Sequence, residues 1–247
     1  MHEHYEDCPH REQALYAMDS RNQMLCGYYA FGEYKFAKES LRLLAQGIRT
    51  DGLLELCAPA SVPVTIPSFS LYWIQALTEY ALYSGDLDFT IKQLPVAEKI
   101  MKHFSLHSMP GKALMTWRGE PYWNFHEWSP GLSGDFSEKI EASSGGNCYD
   151  ANLTALFIVA LERMAQTYAF IALSHDFKEE LGTEYMKKAN TLTFAKPCGV
   201  NSTISSSTAA SDYTLHIPAT ASCMTTPDLQ IRWQYTAEPA REACFPL

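Results

Sequence analysis

Asp7-Cys8-Pro9-His10-Arg11-Glu12-Gln13 leads into Ala14-Leu15-Tyr16-Ala17-Met18-Asp19, and the chain then reaches Phe31 without a proline and with its first glycine at Gly27. A breaker and a capping carboxylate followed by good helix formers predict a helix over 11–31. Glu12 and Asp19 stand seven residues apart in it, which is two turns. Both carboxylates then share one face, with Tyr16 between them and Gln23 beyond, while Leu15, Met18 and Leu25 form a neighbouring face. Asp7 sits just ahead of the helix, where free amides can receive its carboxylate, and Arg11 places a cation among the acids. Carboxylates this close push their pKa values apart, and the least solvated tends to stay protonated. That suits acid-base chemistry on a neutral polyol. The plainer reading is a set of caps and a solvated helix face.

Working outward, residues 34–48 repeat apolar positions at helical spacing (Phe36, Ala37, Leu41, Leu44, Ala45, Ile48) and stop at Thr50-Asp51-Gly52. Residues 53–67 hold three prolines and read as a long loop. Residues 68–83 form an aromatic-rich helix ended by Ser84-Gly85-Asp86, and 87–104 form another, with Pro95 disturbing its first half. A second long connection, 105–146, carries Trp117, Trp123 and Trp128 among Gly and Pro. Helices over 147–173 and 176–192 follow. Six helices, almost no strand signal and no fixed-period repeat predict an all-α fold. Loops longer than about 12–15 residues are usually functional, so two of them suggest a cleft at one end of a helical barrel.

After Ala195 the text changes. From Asn201 to Thr226 twelve of 26 residues are Ser or Thr, and prolines recur at 197, 218, 227, 239 and 246. Residues 196–247 are expected to be either a disordered tail or a segment foreign to the domain, which leaves 1–195 as the folded unit. The total of 247 residues fits one domain and a remainder.

A net charge of −9 argues against a phosphate-tracking nucleic-acid partner. No continuous apolar run approaches the roughly 18 residues of a membrane span, so no membrane partner is expected. The polar opening MHEHYEDCPHREQ is no secretory leader, and seven widely spaced Cys without CxxC read as reduced thiols of a cytoplasmic protein. His2, His4, Cys8 and His10 fit no usual zinc spacing, and Ser143-Ser144-Gly145-Gly146 lacks the Lys of a phosphate loop, so neither metal nor cofactor is expected. The Asn152-Leu153-Thr154 and Asn201-Ser202-Thr203 sequons are discounted. Trp117, Trp123 and Trp128 serve either as core anchors or as sugar-stacking faces.

The segment 7–13 followed by Tyr16-Ala17-Met18-Asp19 resembles the signature of glycoside hydrolase family 78, the bacterial-type α-L-rhamnosidases, where D-C-P-x-R-[DE]-[EQ] leads into a helix with a further Asp. Asp51-Gly52, Ile66 to Trp73, Tyr80 to Asp86, Trp123-Asn124-Phe125-His126-Glu127-Trp128 and Asn152 to Ala165 are similar to later stretches of that family, so the likeness covers roughly residues 5–194. It implies a partial (α/α)6 barrel and inverting hydrolysis of terminal α-L-rhamnose. In inversion one carboxylic acid protonates the departing oxygen while a carboxylate about 6.5–9.5 Å away activates water. Carried onto matching positions, Glu12 is the general acid, and Asp7 and Asp19 bind sugar hydroxyls. Trp123 and Trp128 wall the apolar face of the sugar, with Arg11 and Glu127 alongside. Gln13 stands where many relatives have Glu, and Glu127 where they have Asp. The family's general base lies on a later loop that nothing after Ala195 resembles, and Glu238 and Glu242 lie in Pro-rich text. Two expectations follow, an α-L-rhamnosidase fragment or a non-catalytic remnant that binds a sugar or partner. A different inverting glycosidase on a helical barrel is a third. An open half-barrel would also expose apolar helix faces.

Overall fold

The computed structural model describes residues 4–58, 60–108, 114, 116–117, 119–129, 132–133 and 149–174. The chain divides into the units Met1–Pro197 and Cys198–Leu247, and every described residue belongs to the first. The expected helix over 176–192, the tail, the Ser143–Gly146 stretch and the Asn201 sequon lie outside the described residues.

Among the described residues there are five helices: α1 Ala17–Phe31, α2 Lys35–Gln46, α3 Pro67–Ser84, α4 Leu87–His107 and α5 Ala151–Leu173. Among the described residues there are no strands, only isolated bridges pairing Leu15 with Ala58, Ile48 with Leu54 and Thr65 with Tyr122. Local chemistry sets most helix ends. Pro67 opens α3, where its missing N–H costs nothing, and Gly85 closes it in the left-handed region at φ 71°, donating to Ala81. Asp86 then caps α4 by accepting from the Phe89 amide at 3.1 Å. Pro95 lies within α4 on its exposed side, where water can take the carbonyl bond that proline forfeits.

The first helix departs from expectation. It begins at Ala17 rather than Arg11, behind an N-cap, Tyr16, whose side chain makes no capping bond. The amides of Arg11 and Gln13 both donate to the Cys8 carbonyl, and Gln13 takes a positive φ of 51°, so residues 8–13 close a turn instead. Leu15, 0% exposed, then enters the bridge to Ala58, whose amide donates to its carbonyl at 3.2 Å. A tertiary pairing that buries a leucine outweighs the helix propensity of Arg11, Glu12, Gln13 and Ala14, because propensity is a weak preference even for good helix formers. Glu12 and Asp19 are therefore not two turns apart on one helix, and Asp7 does not cap α1.

The helices form two layers. Tyr16 at the start of α1 meets Phe69 at the start of α3, and Tyr28 near the end of α1 meets Tyr83 near the end of α3, so these two run parallel. Helix α5 runs the same way, its Thr167 hydroxyl bonded to that of Thr78 at 2.9 Å. Helices α2 and α4 pack antiparallel behind them. Lys38 near the start of α2 reaches Asp86 beyond the end of α3, and Phe104 near the end of α4 stacks on Phe157 near the start of α5. Helix α3 lies at the centre with Trp73 and Tyr80 fully buried, and the Trp73 indole donates to the Leu41 carbonyl. The starts of α1, α3 and α5, with the segments leading into them, thus gather at one end. Tyr29, Phe31, Leu82 and Tyr83 stay exposed at the other.

The expectation of no span-like apolar segment needs correction. Helix α5 has 23 residues and a window of mean hydropathy 1.4, long and apolar enough by composition to cross a membrane. Glu162 and Arg163 break the continuous run, which is why reading the letters for an uninterrupted stretch passes over it. Here its Phe157, Leu161, Met164 and Tyr168 are buried in the core beside α3 and α4.

The Asp51-Gly52 turn is locked under α4. Gly52 has φ 94°, and a Cβ there would lie 3.0 Å from the Lys99 carbonyl oxygen. Gly52→Ala is expected to cost about 1–3 kcal/mol, seen as a lowered urea midpoint at unchanged slope. Against the same turn His103 donates from Nδ1 to the Asp51 carbonyl at 2.6 Å and stacks on His107 and Trp117. Its Nε2 is buried without a partner, and burial holds its pKa below the ordinary histidine value. A depressed histidine contributes stability that is complete above the unfolded value of about 6.5 and lost as pH falls below it. Urea titrations at pH 7.5 and pH 5 should show that loss, and His103→Asn, which keeps the donor without the basic nitrogen, should flatten it. Trp117 itself is buried against Phe104, so it is a core anchor rather than a sugar-stacking face.

Candidate active site

Residues 7–14 form a knot at the gathered end. The Asp7 amide donates to the Ala14 carbonyl at 3.1 Å, and the Gln13 side chain donates to the Pro9 carbonyl at 2.8 Å. Gln23 on α1 donates to the Glu6 carbonyl at 2.7 Å, which fastens the knot to the helix. Gly27 lets the Tyr5 hydroxyl lie over α1, since a Cβ would sit only 3.2 Å from it.

The knot draws the side chains of Asp7, Cys8 and Glu12 together, with candidate ligand atoms all within 4.8 Å of one another. Arg11, 81% exposed, reaches back to Glu12 at 3.1 Å, and the other carboxylate oxygen of Glu12 is buried without a partner. A hydrogen bond from the Cys8 thiol, aided by Arg11, holds Glu12 below the ordinary glutamate range, and the same bond pushes Cys8 up to about 11. The three groups are close enough to surround a cation, and the Cys8 thiol would have to release its proton to join them as a ligand.

Asp19 shifts the other way. Burial raises its pKa first, and the charges of Asp7, Glu12 and Glu127 raise it further. Tyr16, half-buried, is raised by burial, then by Cys57 and by the charges of Glu12, Asp7 and Asp19. One electrostatic neighbourhood therefore contains Asp7, Glu12, Asp19 and Glu127, although the residues come from the knot, the first turn of α1 and a distant loop. Within it Asp19 is the carboxyl driven toward its protonated form, while Glu12 is held ionised.

The distant loop rides on the starts of α3 and α5. The Trp123 amide donates to the Thr65 carbonyl at 2.8 Å, and Ser68 in the first turn of α3 donates to the Phe125 carbonyl at 3.2 Å. His126 binds Asp150, the N-cap of α5, at 2.8 Å. Trp123, Phe125 and Trp128 form a mutual cluster with ring centroids 4.9–5.8 Å apart, and Trp128 is 72% exposed. Glu127 accepts from the Trp128 amide at 2.6 Å. An apolar ring face beside several carboxylates is the pairing that a neutral sugar requires, since its C–H face stacks and its hydroxyls donate.

Sequence reasoning missed three participants. Cys8 stands four residues before Glu12, and that spacing in a proline turn was the available signal. Phe125 completes an alternation with Trp123. His126 pairs with a residue 24 positions away, and no local pattern announces that.

Comparison with known proteins gives a family match and a structural likeness. Residues 1–217 match the family described as the bacterial alpha-L-rhamnosidase 6 hairpin glycosidase domain, a match that runs past Ala195. The crystal structure of the family GH78 rhamnosidase of Bacillus sp. GL1 is similar at 22% identity and TM-score 0.59, over 77% of this chain and 18% of that one. The rhamnosidase from Klebsiella oxytoca with rhamnose bound is similar at 19% identity and TM-score 0.57, over 78% of this chain and 34% of that one. This chain thus spans between about a fifth and a third of the length of those two. No curated protein matches. The parallel α1, α3 and α5 backed by α2 and α4 are successive hairpins of a partial (α/α)6 barrel.

Proposed function

This chain belongs to the bacterial α-L-rhamnosidase six-hairpin glycosidase domain family, and on that premise we propose that its gathered loop end receives the terminal α-L-rhamnosyl group of a glycoside. The observation that carries the reading is the common electrostatic neighbourhood of Asp7, Glu12, Asp19 and Glu127 at the loop end, with Trp123 and Trp128 on the same loop as Glu127.

In this reading Glu12 donates the proton to the departing glycosidic oxygen of an inverting hydrolysis. Ionised in the open site, it gains its proton as the sugar covers it, because displacing water from a carboxylate raises its pKa. Asp7 accepts from sugar hydroxyls, and Asp19, driven toward its protonated form, can both donate and accept. Arg11 and Glu127 lie alongside the sugar, and Trp123 and Trp128 cover the apolar face and methyl group of rhamnose. Acid-base hydrolysis of this kind requires no cofactor. The base that activates water is assigned to a loop beyond the stretch that resembles the family.

A second reading is that the site binds rhamnosides without turning them over. An aryl α-L-rhamnoside assay and calorimetry with L-rhamnose separate the two. Turnover supports hydrolysis, binding without turnover supports the second reading, and absence of both from the folded chain overturns the proposal.

A further inference from the structure

We propose that His126 is a positioning residue of this site, the strut that fixes the Trp123–Trp128 loop to the start of α5 and so sets where Glu127 and the aromatic cluster lie relative to Glu12 and Asp19. The proposal rests on the rhamnoside reading for its consequence, though its geometry does not depend on it.

Asp150 is the fixed end of the strut. One of its carboxylate oxygens caps α5 by accepting from the Leu153 amide at 2.8 Å, and its backbone carbonyl accepts from the Thr154 amide and hydroxyl. Its own amide donates to the Leu114 carbonyl at 2.8 Å. All of these bonds persist without His126. The second carboxylate oxygen faces the histidine, and the two side chains are only 14% and 9% exposed. A carboxylate oxygen accepts, so Nε2 carries the hydrogen, and charge-assisted bonds of this kind are stronger than neutral ones.

The loop end of the strut is the part that responds. The His126 amide donates to the Leu132 carbonyl at 2.9 Å, so a turn folds back over residues 127–129. On the preceding side the neutral Ser68 side chain donates to the Phe125 carbonyl. Glu127 follows His126 directly, and its charge is felt by Asp19 on α1. A swing of His126 therefore moves a carboxylate of the site and carries Trp128 with it, while the cap of α5 stays satisfied.

Hydrogen exchange of the full chain tests this, using His126→Gln, whose amide nitrogen sits near the Nε2 position, and His126→Asn, whose shorter side chain stops short of Asp150. In His126→Asn, exchange across 123–129 should accelerate by about tenfold or more, the size of one lost charge-assisted bond, with the first two turns of α5 unchanged. Affinity for L-rhamnose should fall by about the same factor, and His126→Gln should recover both to within about threefold. Unchanged loop exchange in His126→Asn, acceleration of α5 in step with the loop, or a glutamine variant that behaves like asparagine overturns the proposal. Exchange is read without sugar. Loop acceleration in His126→Asn, with a wild-type chain that binds no L-rhamnose, therefore overturns the rhamnoside reading and not the strut.

Discussion

Glu12→Gln is expected to lower hydrolysis of an α-L-rhamnoside by about 10²–10⁴-fold, the range for removing a positioned general acid. Glutamine keeps the shape, and its carbonyl oxygen still accepts from Cys8, but it has no acidic proton for the departing oxygen. The loss should depend on the leaving group. A nitrophenolate departs with little help, so its rhamnoside should lose the least, whereas an alkyl rhamnoside should lose the most. Rates for such a pair, with L-rhamnose affinity measured alongside, give the check. Equal losses for the two leaving groups would argue against Glu12 as proton donor. Cys8 offers a readout apart from turnover. Its thiol, up at about 11 because of Glu12, should alkylate faster at pH 8 once that carboxylate is neutral.

Arg21→Ala carries the largest expected effect on stability. Arg21 on α1 forks onto Glu79 on α3, with bonds of 2.9 and 2.5 Å, and Glu79 is 8% exposed. Removing the guanidinium leaves a buried carboxylate near Tyr28 without its cation. Breaking one side of a buried pair costs about 3–5 kcal/mol, whereas exchanging both partners for apolar residues of similar volume is often near neutral. Chemical denaturation should therefore show a sharp drop for Arg21→Ala and recovery of most of it in Arg21→Met with Glu79→Leu. A double variant as unstable as the single one would mean that the pair contributes by packing alone.

The central helices were legible because they punctuate themselves. Pro67, Gly85 and Asp86 mark the ends of α3 and the start of α4 through backbone rules that act locally, and the observed bounds fall within a few residues of the expected ones. The start of α1 was not legible for the opposite reason. The pull on Leu15 comes from Ala58, more than forty residues away, and no propensity of residues 11–16 reveals it. The carboxylates assigned to the site from the sequence do share one field, but a knotted turn brings them there rather than a helix face. The geometry that makes Glu12 and Asp19 neighbours, and the opposite directions of their pKa shifts, depended on burial that residue spacing does not encode. The same holds for the tryptophans. Trp117 and Trp128 look alike as letters in one Gly- and Pro-rich stretch, yet one fills the gap beside His103 and Phe104 while the other stands in solvent.

The parallel course of α1, α3 and α5 has an electrical consequence. Every peptide in those helices tilts its N–H toward the same end, so each start behaves as roughly half a positive charge, and three together approach about 1.5. The start of α1 carries no side-chain cap, and its first-turn acid, Asp19, accepts from its own amide. This built-in positive end opposes the repulsion among the acidic side chains crowded there. Backbone orientation alone thus supplies a positive background to that cluster of carboxylates.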